Sequence, residues 1–260
     1  MLQSIVSILM VLLGLARALG AQTDLPEAVD YTRNILTANQ DSDEMLTEGD
    51  LVIPRTRNAM VCMMGGNSCL WKKGSDGHVL VPYVIEDNRF SPSDKEKIKT
   101  ALVSFHDHTC VRFVPRGNQQ DYLSYESQRG CFSGLGRTGG RQTVSLNSVG
   151  CIFNGIIQHE TLHALGFQHE HTRSDRDQFV TINWSNIDRL DADNFERQVT
   201  NNLNTPYDYD SVMHYGRTAF SVNGKDTIAT IPNPNVPIGQ RAEMSPIDIQ
   251  RVNKLYDCKL

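Results

Sequence analysis

His159-Glu160-Thr161-Leu162-His163-Ala164-Leu165-Gly166-Phe167-Gln168-His169-Glu170 is the stretch on which fold and chemistry turn. The run before it, Phe153 to Ile157, is apolar enough to begin a buried helix. On a helix His159 and His163 stand about one turn apart, so both rings leave the same face. Two imidazoles at that spacing can grip one Zn2+, each at roughly 2.0–2.1 Å. Glu160 is displaced around the same helix, wrongly placed for a third ligand and well placed for a general base. Gly166 can take the left-handed conformation that ends a helix and reverses the chain. The reversal returns His169 as a third nitrogen. Three protein ligands leave a position for water, which is the catalytic pattern of a zinc site. A helix with ordinary surface histidines has no need of these residue types at these fixed offsets.

The pattern continues. Glu170 is followed by His171, Thr172, Arg173, Ser174, Asp175, Arg176 and Asp177, and Ser211-Val212-Met213-His214-Tyr215 lies downstream. The first run resembles the Arg-x-Asp-Arg-Asp continuation of the astacin branch of the metzincin proteases, and the second resembles their methionine turn. The resemblance spans about Asn58 to Cys258. It implies an α+β catalytic domain: a twisted, mixed five-stranded sheet, two long helices over a zinc cleft, and an irregular C-terminal subdomain ending in a helix. It also implies one Zn2+ held by His159, His163 and His169. Tyr215 would be a further ligand, able to swing away and hydrogen-bond the oxyanion of the reaction. Glu160 and Tyr215 are then the catalytic pair, and Met213 an apolar floor under the metal. Glu170 is a structural support that would meet the new N-terminus after activation, since a buried carboxylate needs a cationic or hydrogen-bonding partner.

The 260-residue chain carries a formal net charge of -5, with no basic stripe to suit nucleic acid. Six cysteines suit three bridges in an oxidising compartment. Ile5 to Leu15 form a short apolar core closed by small residues near Gly20 and Ala21, which reads as a signal peptide over residues 1–20. That core is too short for a membrane span, and no second apolar stretch of spanning length follows. Secretion is therefore expected, with storage in granules before release as a further expectation, and a monomer.

Residues 21–57 read as a pro-segment, polar and acidic up to Asp50. Glu48-Gly49-Asp50 resembles the end of the Phe-x-Gly-Asp motif of astacin zymogens, whose aspartate takes the zinc position meant for water. Thr47 stands where the family has phenylalanine. Arg55-Thr56-Arg57 looks like the cleavage site of a trypsin-like activator, and the peptidase domain would be 58–260, beginning at Asn58.

Within that domain His78 to Ile85 reads as a strand, with Pro82 favouring an edge or a bulge. Ser91-Pro92-Ser93-Asp94 announces a helix with an apolar face of Ile98, Ala101, Leu102 and Phe105. His106 and His108 at its end suit the helix dipole better than a metal. Val111 to Val114, Tyr122 to Tyr125 and Gln142 to Leu146 read as further strands; in the family the last lies at the cleft edge and pairs with an extended peptide. Asn183-Trp184-Ser185 is a glycosylation sequon. Ser245-Pro246-Ile247-Asp248 starts a closing helix with Ile249, Val252, Leu255 and Tyr256 on its buried stripe.

Cys62 and Cys69 bracket a loop that can close as a small ring, though spacing alone leaves many pairings open for six cysteines. The astacin pattern implies Cys131–Cys151 and Cys110–Cys258. The Cys62–Cys69 pair in its Asn-Ala-Met-x-Cys setting, and the proline-studded run Ile231 to Arg241, resemble fish hatching enzymes. That implies egg-envelope glycoproteins as substrate. An astacin-like peptidase of digestion or matrix processing is the neighbouring reading. An inactive secreted zinc-binding protein is a third, opposed by the intact Glu160 and Tyr215.

Overall fold

The computed structural model describes residues 31–52, 69–86 and 88–259. The expected signal peptide, the Arg57–Asn58 cleavage site and Cys62 lie outside these residues. Four helices are present among them: α1 (Tyr31–Asn39), α2 (Pro92–His108), α3 (Asn154–Ala164) and α4 (Pro246–Leu255). The strands are β1 (Leu46–Thr47), β2 (Leu51–Val52), β3 (Val79–Ile85), β4 (Val111–Pro115), β5 (Tyr122–Glu126), β6 (Cys131–Ser133), β7 (Arg141–Leu146), β8 (Val180–Ile182) and β9 (Ile228–Thr230).

The main sheet has the order β1-β2-β6-β7-β5-β3-β4. Strands β3, β4, β5 and β7 run parallel, and β6 is antiparallel to β7. Five of these strands belong to the predicted domain; β1 and β2, from the N-terminal segment, extend the sheet to seven. Val79 and Val81, Val111 and Phe113, Leu123 and Tyr125, and Val144 and Leu146 keep the two-residue period of one sheet face. All are buried in one cluster with Ile98, Leu102 and Phe105 of α2 and Ile156, Ile157 and Leu162 of α3. The Tyr125 hydroxyl meets Thr161 Oγ1 at 3.0 Å and pins the sheet to α3.

Helix α2 starts as its sequence predicts. Ser91 Oγ accepts from the Asp94 N–H and the Asp94 carboxylate accepts from the Ser91 N–H, a reciprocal cap that satisfies donors the helix cannot. Ser245 and Asp248 repeat the device on α4. Two expectations fail. Strand β3 is interior, between β5 and β4, so Pro82 marks neither an edge nor a bulge. Val79 donates to Cys110 and Tyr83 accepts from Arg116, so these residues face β4. By alternation Pro82 faces β5, where pairing begins only at Tyr83, and no ladder donor is missed. Nor is β7 the edge of the domain: β6, too short to carry a strand pattern, lies outside it.

Beyond α3 the chain is less regular, with 3-10 turns, the small β8–β9 ladder and a second cluster around Phe195, Tyr207 and Tyr215. The Cys110–Cys258 and Cys131–Cys151 disulfides are both formed, with Cα separations of 5.3 and 5.8 Å. Cys69 is also disulfide-bonded. No helix among the described residues is long and apolar enough to cross a membrane.

Candidate metal centre

Helix α3 is buried along nearly its whole length, so its polar side chains must find partners in the interior. His159 and His163 leave it one turn apart, with ring centroids separated by 4.7 Å. Gly166, at φ +104°, turns the chain back. His169 then lies 5.2 Å from His159 and 4.7 Å from His163, centroid to centroid.

Each ring is fixed through its outer nitrogen. His159 Nδ1 donates to the Val212 carbonyl at 2.8 Å, and His163 Nδ1 donates to the Phe167 carbonyl at 2.7 Å. His169 Nδ1 meets the Glu48 carboxylate at 2.8 Å. A carbonyl only accepts, so the proton sits on Nδ1 of His159 and His163, and a neutral ring turns a bare Nε2 inward. Asp50 stands among these inner nitrogens, at 3.0 Å from His159 Nε2, 3.3 Å from His163 Nε2 and 3.2 Å from His169 Nε2. His159 Nε2 and His163 Nε2 are 3.1 Å apart. Ligands about 2.0–2.1 Å from a tetrahedral zinc lie about 3.3 Å from one another. The donor set therefore fits zinc, and His169 Nε2 and Asp50 Oδ1 are buried without a hydrogen-bond partner among the described residues.

Glu160 is fully buried beside this group, and neither carboxylate oxygen has a hydrogen-bond partner among the described residues. Burial, reinforced by the Asp50 carboxylate, pushes its pKa well above the usual range. Such a group holds a proton readily. The Tyr215 hydroxyl donates to the Glu48 carbonyl. Its ring lies on His171, centroids 3.8 Å apart and 28° from parallel. Burial, with the Asp50 and Glu48 carboxylates, raises its pKa far enough to keep it a phenol. Gly49 sits at φ +76°, which disfavours a side chain, and a Cβ there would meet Leu36 Cδ2 at 2.7 Å and press on Phe220 and Tyr215. Thr47, in the place of the family phenylalanine, pairs with Leu51 instead.

Residues 68–257 match the family model described as Astacin, a family of peptidases. The chain belongs to the astacin family. It is therefore a zinc metalloendopeptidase, and the Asp50, His159, His163 and His169 group is able to bind the metal. High choriolytic enzyme 2 of Oryzias latipes is 57% identical over 232 residues, covering 89% of this chain and 82% of that protein. Low choriolytic enzyme of the same fish is 54% identical over 237 residues, covering 91% and 87%. The solved structure of high choriolytic enzyme 1, a hatching enzyme zinc-protease of that species, superimposes with a TM-score of 0.73 at 56% identity. It covers 75% of this chain and 98% of that one.

In this astacin the Arg-x-Asp-Arg-Asp run is a set of clamps. Arg173 grips Asp175 through two bonds of 2.9 Å, and Arg176 donates to the His171 carbonyl at 2.8 Å. Glu170 is already matched in the uncut chain. Arg251 of α4 already engages both its oxygens, at 2.5 and 2.8 Å, Arg173 adds a contact of 3.3 Å, and the Asp208 N–H donates at 2.7 Å. The closing helix thus supplies a cation for this carboxylate, and Asn58, which it is expected to meet after activation, lies outside the described residues. Burial still raises the Glu170 pKa, and Arg251 offsets part of that rise.

His106 and His108 are remote from the group. His106 Nε2 accepts the Phe113 N–H at 2.8 Å, and burial followed by Arg112 lowers its pKa, so it is a neutral acceptor rather than a dipole-stabilised cation. Met213 is buried in the main core. Asn183 donates its amide to the Asp226 carbonyl. The sequence marked Glu48 only as a motif neighbour of Asp50 and Asp248 only as part of a helix start; here Asp248 also accepts from Ser211 Oγ and the Val212 N–H and so steadies the carbonyl that orients His159.

Proposed function

We propose that this chain is a secreted hatching-type zinc endopeptidase made as a zymogen, with a signal peptide over 1–20, a pro-segment over 21–57 and a peptidase domain over 58–260. Cleavage after Arg57 by a trypsin-like protease would begin the domain at Asn58, and the substrates would be egg-envelope glycoproteins. The observation that carries the catalytic reading is the buried Glu160, without a hydrogen-bond partner among the described residues, beside the inward-facing nitrogens of His159, His163 and His169. The choriolytic names of the medaka relatives support the substrate.

Bound zinc supplies Lewis-acid polarisation of the scissile carbonyl and acidifies water to a pKa of about 7. His159, His163 and His169 would hold the ion, the outer nitrogens of the first two restrained by the Val212 and Phe167 carbonyls. Glu160 takes a proton from the attacking water and delivers it to the leaving amine. Tyr215, once parted from the Glu48 carbonyl, donates its hydroxyl to the developing oxyanion. In the zymogen Asp50 closes the position that water needs.

The test is to incubate the chain, after cleavage at Arg57 and removal of the severed segment, with isolated egg envelopes, with and without a zinc chelator. Release of envelope protein only without chelator is the expected result. Cleavage of casein but not of envelopes would point instead to a digestive or matrix-processing role.

A further inference from the structure

We infer that residues 31–52 stay seated in the cleft after the chain is cut at Arg57, anchored on the sheet edge by Asn39, and that the released segment inhibits reversibly in trans. This rests on the reading of residues 21–57 as a pro-segment.

Asn39 closes helix α1 and presents its carboxamide to β6. Nδ2 donates to the Cys131 carbonyl at 2.7 Å and to the Gly49 carbonyl at 2.8 Å, while Oδ1 accepts the Cys131 N–H at 2.7 Å. A carboxamide has the donor and acceptor of a peptide unit. Here it satisfies both outward main-chain groups of one edge residue, as a neighbouring strand would. Two residues along, the Ser133 N–H donates to the Asp50 carbonyl at 3.0 Å, and Leu51 lies opposite Ser133 in the β2–β6 pair. The rim that main-chain pairing would use is thus taken up by the segment.

The remaining grip is spread widely. The Gly216 N–H donates to Thr32 Oγ1 at 2.9 Å, and Glu48 meets Tyr215 through its carbonyl and His169 through its carboxylate. Ile35, 1% exposed, is part of the main hydrophobic core. Asp50 is one contact among these. Every group named on the segment precedes residue 53, so a cut after Arg57 severs none of them. Opening the cleft is then a second event, dissociation, which depends on concentration.

The experiment uses the zinc-loaded full chain, nicked by limiting trypsin until the Arg57 bond is fully cut. On size exclusion at micromolar concentration the segment should co-elute with the domain. Peptidase activity should appear only on dilution to nanomolar concentration. Synthetic peptide 31–52, added back to the diluted active chain, should inhibit reversibly. The Asn39→Ala peptide should bind about 10-fold more weakly or worse. The Asp50→Asn peptide should still bind, as read by fluorescence anisotropy of a labelled copy. Peptide variants carry no risk of an unfolded enzyme. Separate elution of the segment with full activity at micromolar concentration would overturn the inference. So would equal binding of the Asn39→Ala and unaltered peptides. If the segment co-elutes yet the diluted chain cuts no polypeptide, the peptidase reading fails while retention of the segment stands.

Discussion

On the sheet side of the cleft, β3, β4, β5 and β7 turn Val81, Phe113, Leu123 and Val144 into a cluster closed by Leu102 of α2 and Leu162 of α3. On the C-terminal side, Glu170 is buried under Arg251 and Arg173, and Asp248 gathers Ser211, Val212 and Ser245. The first arrangement is held by area removed from water and tolerates modest changes of shape. The second is held by charges and donors that must all be matched, because each unpaired member costs its full desolvation. The histidine helix lies between the two and borrows from both: its body packs on the sheet, and its first ligand is oriented by the Val212 carbonyl.

The largest expected effect removes chemistry while leaving both sides intact. Glu160→Gln should lower kcat/KM of the activated chain by about 10²–10⁴-fold, with zinc content by metal analysis unchanged. Parallel loss of zinc would mean that Glu160 builds the site rather than acting in it. Next, Arg251→Met strands a buried carboxylate on the polar side and should cost about 3–5 kcal/mol in urea unfolding. A loss under about 1 kcal/mol would refute the dependence of that side on matched charge. Leu102→Ala on the apolar side should cost about 2–5 kcal/mol, the size depending on how far the core relaxes. Added salt should leave the Leu102→Ala loss unchanged.

The smallest effect concerns pH. His106 is held neutral in the folded chain, with its pKa lowered by burial and by Arg112. Its contribution is therefore fully present above the unfolded histidine value, about 6.5, and is lost as pH falls below it. His106→Asn should flatten the fall in stability between about pH 7 and 5. An unchanged slope would remove His106 from the account.

Much of the apolar side could be read in advance, because its elements obey simple periods. Ile98, Ala101, Leu102 and Phe105 mark one helix face, and Ser91 with Asp94 marks its start. The histidine triplet was legible for the same reason: a turn of helix and a glycine fix where three rings go. Strand β6 escaped because Cys131-Phe132-Ser133 is too short to show alternation, and Pro82 misled because the side its nitrogen faces depends on a neighbour far along the chain. The Val212 and Phe167 carbonyls leave no trace in side-chain identity. Arg251 meets Glu170 across a separation of 81 residues, which no local pattern encodes.

The Cys131–Cys151 bond joins the outermost strand of the domain to the lead-in of the histidine helix. Whatever lies along that rim is thereby tied by sulfur to the imidazole-bearing helix, with the intervening β7 bypassed. Tension on that rim would move both together. A reductant that opened this bridge would leave the β6–β7 ladder as a remaining tie between the rim and the helix.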